Sequence, residues 1–255
     1  MGIVNVTPDS FSDGGVHLDA SAAIAHGRAL VAEGAHVIDV GGESTRPGAA
    51  PVGEAEELAR VVPVVEALAA DGVRVSIDTT KAAVAHAAVD AGATLINDVS
   101  ASLHAVAAAR GVGWVAMHMQ GRPATMQDDP RYDDVVTDVR TFLVARADAA
   151  RAAGVDEIWI DPGIGFGKTA AHNWALLAAL PRLVAAGWPV AVGTSRKAFL
   201  GAALAAAHGS AEPVPVHDRL EGSVATAVRA ALDGAALVRV HDVAATVGAL
   251  RAAAA

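Results

Sequence analysis

Short β-branched runs alternate along the chain with Ala-rich stretches, at a spacing of about 20 to 40 residues that marks repeated βα units. Eight runs predict strands: GIVNV (2–6), HVIDVG (36–41), RVSID (74–78), TLIND (94–98), WVAMH (114–118), EIWID (157–161), PVAVGTS (189–195) and LVRVH (237–241). They lack strict polar alternation, as parallel strands covered on both faces do. Between them, ASAAIAHGRALVAEG (20–34) and EAEELARVVPVVEALAADG (54–72) carry helical periodicity and end in Gly, a common residue just past a helix. Eight such units predict an α/β fold, a single (β/α)8 TIM barrel over residues 1–255, with an open doubly wound sheet as the alternative. Asn5, Asp39, Asp78, Asn97, His118, Asp161, Ser195, Arg239 and His241 fall at or near the C-terminal ends of all eight runs. A barrel gathers those ends on one face, where the βα loops build a site, whereas an open sheet spreads them along an edge.

Composition narrows the classes. The chain has 255 residues and is 53% hydrophobic, yet charge, Gly or Pro cuts each apolar stretch before the roughly 18 residues that a membrane helix needs. The opening MGIVNVTPDS has no basic segment leading into an apolar one, so no signal or transit peptide is expected and the cytoplasm is the expected location. There is no cysteine, which excludes disulfides, thiolate catalysis and Zn–Cys sites. A net charge of −9 argues against nucleic acid as a partner, and an anionic substrate must meet local positive charge.

The loops carry the candidate chemistry. NVTPDSFSDGG (5–15) is a turn-rich loop in which Asp9 and Asp13 flank Phe11, offering hard oxygens for Mg²⁺ beside an aromatic cover. GGESTRPGA (41–49) adds hydroxyls and Arg46, whose guanidinium is either simply solvated or paired with a carboxylate or phosphate. Asp78, Asn97 and Asp161 end apolar runs and need partners. Either neighbouring loops satisfy them, or together they grip a flat heterocycle rich in N–H donors. The glycines of DPGIGFGK (161–168) allow close backbone approach, but Gly163 and Lys168 are one residue too near for a phosphate-binding P-loop. TSRK (194–197) stands where a strand turns into a helix, a favourable place for an anion, and Arg239 and His241 of RVHD share one side of an extended strand as a plausible phosphate clamp. His26, His36, His86, His104, His172, His208 and His217 fall away from this face and no HxH follows the first strand, which argues against a metal hydrolase; no Gly-x-Ser-x-Gly elbow is present either.

Taken in order, NVTPDSFSDGG, DVGGESTRPGA, SIDTTKAAVA, LINDVS, MHMQGRPATMQ, IDPGIGFGKT, VGTSRKAFLG and RVHDV resemble the dihydropteroate synthases, from residue 2 to about 245. The resemblance implies a TIM barrel, usually dimeric, that condenses 6-hydroxymethyl-7,8-dihydropterin pyrophosphate with p-aminobenzoate in folate biosynthesis and is a sulfonamide target. It implies a pterin slot of Asp78, Asn97, Asp161 and Lys197 lined by Met117, Phe166 and Gly193. Pyrophosphate would fall to Asn5, Arg239 and His241, with Asn5 and Asp13 helping to hold Mg²⁺. Phe11, Thr45, Arg46 and Ser195 would form the p-aminobenzoate site. Asp78, Asp161, Lys197, Arg239 and His241 would carry the chemistry, which in this family runs through a cation-like pterin and needs no strong general base. Two other readings share the slot: a methyltetrahydrofolate:corrinoid methyltransferase, which has little use for STRPGA, TSRK and RVHD, and a non-catalytic pterin-binding paralogue, in which broken loop motifs are expected. Two departures stand out. The chain begins almost at its first strand, which puts an N-terminal plug of the barrel in question, and ASLH follows LINDVS where a Gly-containing turn and an Asp are expected.

Overall fold

A computed structural model describes residues 1–7, 15–44 and 50–255. The parallel strands are β1 (Gly2–Asn5), β2 (Ile38–Gly41), β3 (Val75–Asp78), β4 (Leu95–Asp98), β5 (Gly113–Met117), β6 (Ile158–Asp161), β7 (Ala191–Val192) and β8 (Leu237–Val238). The first six form one continuous sheet in sequence order and the last two pair with each other. Isolated parallel bridges join Ile160 to Val190 and Gly2 to Val240, so β6 meets β7, β8 meets β1, and the barrel closes. Across the second seam Ile3 N donates to Val240 O at 3.1 Å and Val240 N to Met1 O at 3.0 Å. The helices are α1 (Gly15–Ala32), α2 (Glu54–Ala70), α3 (Ala82–Asp90), α4 (His104–Arg110), α5 (Val135–Ala152), α6 (Ala170–Ala178), α7 (Leu180–Val184), α8 (Ala198–Ala207), α9 (Leu220–Leu232) and α10 (Val243–Ala253).

Local chemistry sets several boundaries. Asp134 starts α5 by accepting from Val136 N at 3.1 Å, and Thr169 and His172 form a reciprocal capping box at α6. Pro181, lying in the first turn of α7, separates that helix from α6. Gly111 ends α4 at φ 63°. Among the described residues, no helix is long and apolar enough to cross a membrane.

Side-chain alternation along the strands builds three layers. Ile38, Val40, Ile77, Ile96, Trp114, Ala116, Ile158, Ile160, Val190 and Val192 belong to the large core shared with the helices. The opposite parity points into the barrel, where Val37, Leu95, Val115 and Ala191 pack with Met1, Trp159 and Leu237 as an apolar base. Two residues further on, with the same parity, stand Asp39, Asn97, Met117, Asp161, Gly193 and Arg239. The apolar base carries a polar layer directly above it, at the C-terminal ends of the strands.

Candidate active site

The polar layer is knitted by one guanidinium. Arg239 Nε donates to Asp39 Oδ2 at 2.5 Å and Arg239 Nη2 to Asp78 Oδ2 at 2.7 Å. Asn97 Nδ2 donates to the same Asp39 oxygen at 2.9 Å. Asp39 is fully buried, and its Oδ1 is a buried oxygen with no hydrogen-bond partner among the described residues. Burial works against the charge of Arg239, but Asp39 and Asp78 outweigh it and hold the guanidinium above its ordinary range. Burial also pushes the Asp78 carboxyl up to about 7, against the pull of Arg239. The sequence draws Arg239 and His241 together as a clamp, whereas the structure turns Arg239 onto the carboxylates and His241 onto Ser195, whose Oγ lies 3.0 Å from His241 Nδ1.

On the other wall, Asp161 is held by its own loop: Gly163 N donates to Asp161 Oδ1 at 2.7 Å. Burial raises the Asp161 carboxyl, with Lys197 opposing. Lys197 Nζ donates to Ile164 O and lies 4.9 Å from the centre of the Phe166 ring. Burial lowers its ammonium to about 8, with Asp161 opposing. Met117 pairs in register with Asp161, and a Cβ on Gly193 would lie 3.7 Å from Arg239 Cβ and 3.8 Å from Lys197 Nζ. The seven pterin-slot candidates, Asp78, Asn97, Met117, Asp161, Phe166, Gly193 and Lys197, therefore line one end of the barrel. Ser195 and His241 complete that rim, and Asn5 ends β1 beside Gly41. Asp9, Phe11, Asp13, Thr45 and Arg46 lie outside the described residues.

His118 departs from the expectation that every strand-end polar residue serves this face. It shares the outward parity of Trp114 and Ala116 and packs edge-on against Phe142 at 5.0 Å. Its Nδ1 lies 3.0 Å from Lys168 Nζ, and the same ammonium donates to His118 O at 3.2 Å and Phe166 O at 3.0 Å. Lys168 is 3% exposed, and burial brings it down to about 7. Lys168 thus staples the loop after β6 to the end of β5, a different task from holding a phosphate. Above β7, Arg196 has φ 61°, strained for a residue with a side chain, and is tied on every side. Its N donates to Ser223 Oγ at 2.9 Å, its O accepts from Arg219 Nη1 at 3.0 Å, and its guanidinium forks onto Asp242 at 2.6 and 3.1 Å.

The loop that replaces the expected Gly turn is organised by Asp98, which accepts from Ser100 N at 2.9 Å, from Ser102 N and Leu103 N at 2.6 Å, and from Trp114 Nε1 at 3.2 Å. Ala101 sits there at φ 50°. Asn97 keeps its place next to Asp39, so the departure does not reach the polar layer.

Among the described residues no group of three or more His, Cys, Asp or Glu forms a metal cage. The broad depression of about 600 Å³ lined by Arg151, Glu157, Trp159 and Trp188 opens at the opposite, N-terminal end of the strands. In a TIM barrel that end serves stability and the C-terminal end serves chemistry, so the polar layer is the candidate site.

The chain is similar in sequence and fold to known proteins. The family model described as pterin binding enzyme matches residues 1–241. The chain is 52% identical to a dihydropteroate synthase of Mycobacterium leprae, covering 98% of this chain and 90% of that protein, and 46% identical to one of Escherichia coli, covering 98% and 89%. Among solved structures, a Yersinia pestis dihydropteroate synthase with a sulfonamide drug complex aligns with a TM-score of 0.90 at 48% identity, over 99% of this chain and 92% of that one. A Xanthomonas albilineans dihydropteroate synthase in complex with 7,8-dihydropteroate aligns at 0.85 and 48%, over 98% and 90%.

Proposed function

The chain belongs to the pterin-binding enzyme family, and from that premise we infer that it catalyses dihydropteroate synthesis, joining 6-hydroxymethyl-7,8-dihydropterin pyrophosphate to p-aminobenzoate. The observation that carries this reading is the polar layer of Asp78 with the buried Asn97 and Asp161, between Arg239 and Lys197, in a barrel whose relatives at about half identity are synthases.

In the reaction the bond between the pterin methylene carbon and the pyrophosphate oxygen breaks, and its electron pair leaves with pyrophosphate. The amine nitrogen of p-aminobenzoate forms the new bond to that carbon and loses a proton. Asp78 and Asp161 accept from the N–H edge of the pterin, and Asn97 both donates and accepts. Positive charge that develops on the pterin is stabilised by carboxylates already fixed in a water-poor site. Lys197, beside the Phe166 ring, bounds the slot. Arg239, anchored through Asp39, neutralises Asp78 and with Asn5 and His241 offers positive charge and hydrogen bonds to the leaving group. Ser195, with Phe11, Thr45 and Arg46, holds p-aminobenzoate in line.

Asn5, with Asp13, supplies hard oxygen donors that suit Mg²⁺, an ion that takes few protein ligands and completes its shell with water and phosphate oxygens. Bound there it would offset charge on the departing pyrophosphate. In this reading the enzyme is a homodimer, supported by the usual assembly of the family and by exposed apolar side chains such as Trp174, Val216 and Leu232. The cytoplasm suits a cysteine-free chain with no use for an oxidising compartment.

Asp161→Asn tests the pterin assignment, since it keeps the side-chain shape and removes the charged acceptor. We expect kcat/KM for the pterin substrate to fall by about a hundred-fold, the loss of a charge-assisted hydrogen bond worth roughly 3 kcal/mol. Normal turnover would remove Asp161 from the site.

A further inference from the structure

A charge cluster outside the polar layer, centred on one buried glutamate, ties down both ends of the loop after β2. Glu57 of α2 is fully buried; its Oε1 accepts from Thr79 Oγ1 at 2.7 Å and its Oε2 pairs with Lys81 Nζ. The same ammonium reaches Glu43 Oε2 at 2.5 Å, and the other oxygen of Glu43 accepts from Val52 N at 3.0 Å. Glu43 therefore holds the start of the loop to its end, and Lys81 holds Glu43 to α2. One residue earlier, a Cβ on Gly42 would meet Val61 Cγ1 at 2.7 Å and Glu57 Cγ at 3.0 Å, while Arg60 Nη1 donates to Gly42 O at 2.8 Å.

Stability is a weak reason to keep such a cluster, because apolar replacements of buried ion pairs are often neutral or better. Two carboxylates sharing one ammonium do fix the relative placement of the three segments that carry them. Those segments are the start of the β2 loop, the first half of α2, and the turn after β3. We propose that Lys81, with Glu43 and Glu57, is a positioning residue that sets the two ends of the loop from Glu43 to Val52 and thereby the affinity for p-aminobenzoate. This rests on the reading above, in which Thr45 and Arg46 of this loop hold that substrate. Asp78, which precedes Thr79, has its own partner in Arg239, so pterin binding should be spared.

The test is steady-state kinetics of the full-length enzyme with each substrate varied in turn, alongside thermal unfolding and pterin binding followed by calorimetry. Lys81→Met should raise KM for p-aminobenzoate by about ten- to a hundred-fold, the scale of a misplaced binding group, and leave KM for the pterin pyrophosphate within about two-fold. Lys81→Arg, which keeps the charge, should recover most of the loss. Should Lys81→Met fail to fold, Glu43→Gln weakens the same clamp without stranding Glu57, and the same split is expected. An unchanged KM for p-aminobenzoate, or a parallel rise for both substrates tracking lost stability, overturns the inference alone. Wild-type protein that forms no dihydropteroate overturns the reading of function and this inference with it.

Discussion

Gly163→Ala perturbs the site through backbone geometry, and its cost can be worked from the structure. Gly163 has φ 64°, and a Cβ built on it would lie 1.8 Å from His118 O and 2.9 Å from the His118 carbonyl carbon. No rotamer can relieve a backbone contact, so the loop after β6 must move away from β5. The left-handed conformation costs a residue with a side chain about 1–2 kcal/mol. Moving the loop also breaks the 2.7 Å bond from Gly163 N to Asp161 and strains the Lys168 staple, and a hydrogen bond to a charged group is worth about 1.5–3 kcal/mol. The total is about 3–5 kcal/mol, or a fall in Tm on the order of 10 °C for a domain of this size. Calorimetric unfolding, with titration of the pterin pyrophosphate, measures both stability and the slot. Gly154→Ala is the control: φ there is 96° but nothing lies within 4 Å, so only the conformational cost of about 1–2 kcal/mol applies and pterin binding should persist. A Gly163→Ala protein as stable as the control, with normal pterin affinity, would refute the argument.

Two further outcomes follow from the charged groups. Asp39→Asn keeps an acceptor for Asn97 but takes away the charge that anchors Arg239, so kcat/KM for the pterin pyrophosphate should drop by about ten- to a hundred-fold with the fold intact; unaltered kinetics would show that Arg239 needs no anchor. Lys168 has a folded-state pKa of about 7 against an ordinary 10.5, so between those values the unfolded chain binds the extra proton and stability rises with pH. Denaturant unfolding at pH 7 and pH 9.5 should therefore show a gain in the wild type that is smaller in Lys168→Met, and identical gains would count against the buried ammonium.

The barrel was legible because parallel strands leave a plain trace: eight short apolar runs, each with a polar residue at or near its end. The observed strands fall within those runs, apart from β5, which starts one residue earlier at Gly113. β7 and β8 are two residues each, and beyond them the pairing continues only as single bridges, Ile160 to Val190 and Gly2 to Val240. The polar layer was legible at Asp78, Asn97 and Asp161, where an unpaired polar group at the end of a buried strand demands an explanation. His118 has the same signature and points outward; strand parity, counted from Trp114, separates it from Met117. Asp39 stood among the strand-end residues without a role, since nothing local says that its partners are Asn97 and Arg239, the latter 200 residues away. Lys168 and Lys81 look like ordinary lysines in sequence, and only the packing of distant segments buries the one and sets the other between two glutamates.

The central claim is tested most directly by mixing the purified protein with Mg²⁺, p-aminobenzoate and 6-hydroxymethyl-7,8-dihydropterin pyrophosphate, and following dihydropteroate and pyrophosphate together. Synthesis predicts that the two products appear in equal amounts when both substrates are present and that no dihydropteroate forms when p-aminobenzoate is withheld. Tight binding of the pterin pyrophosphate with no product of either kind would contradict it and leave a pterin-binding protein without synthase activity.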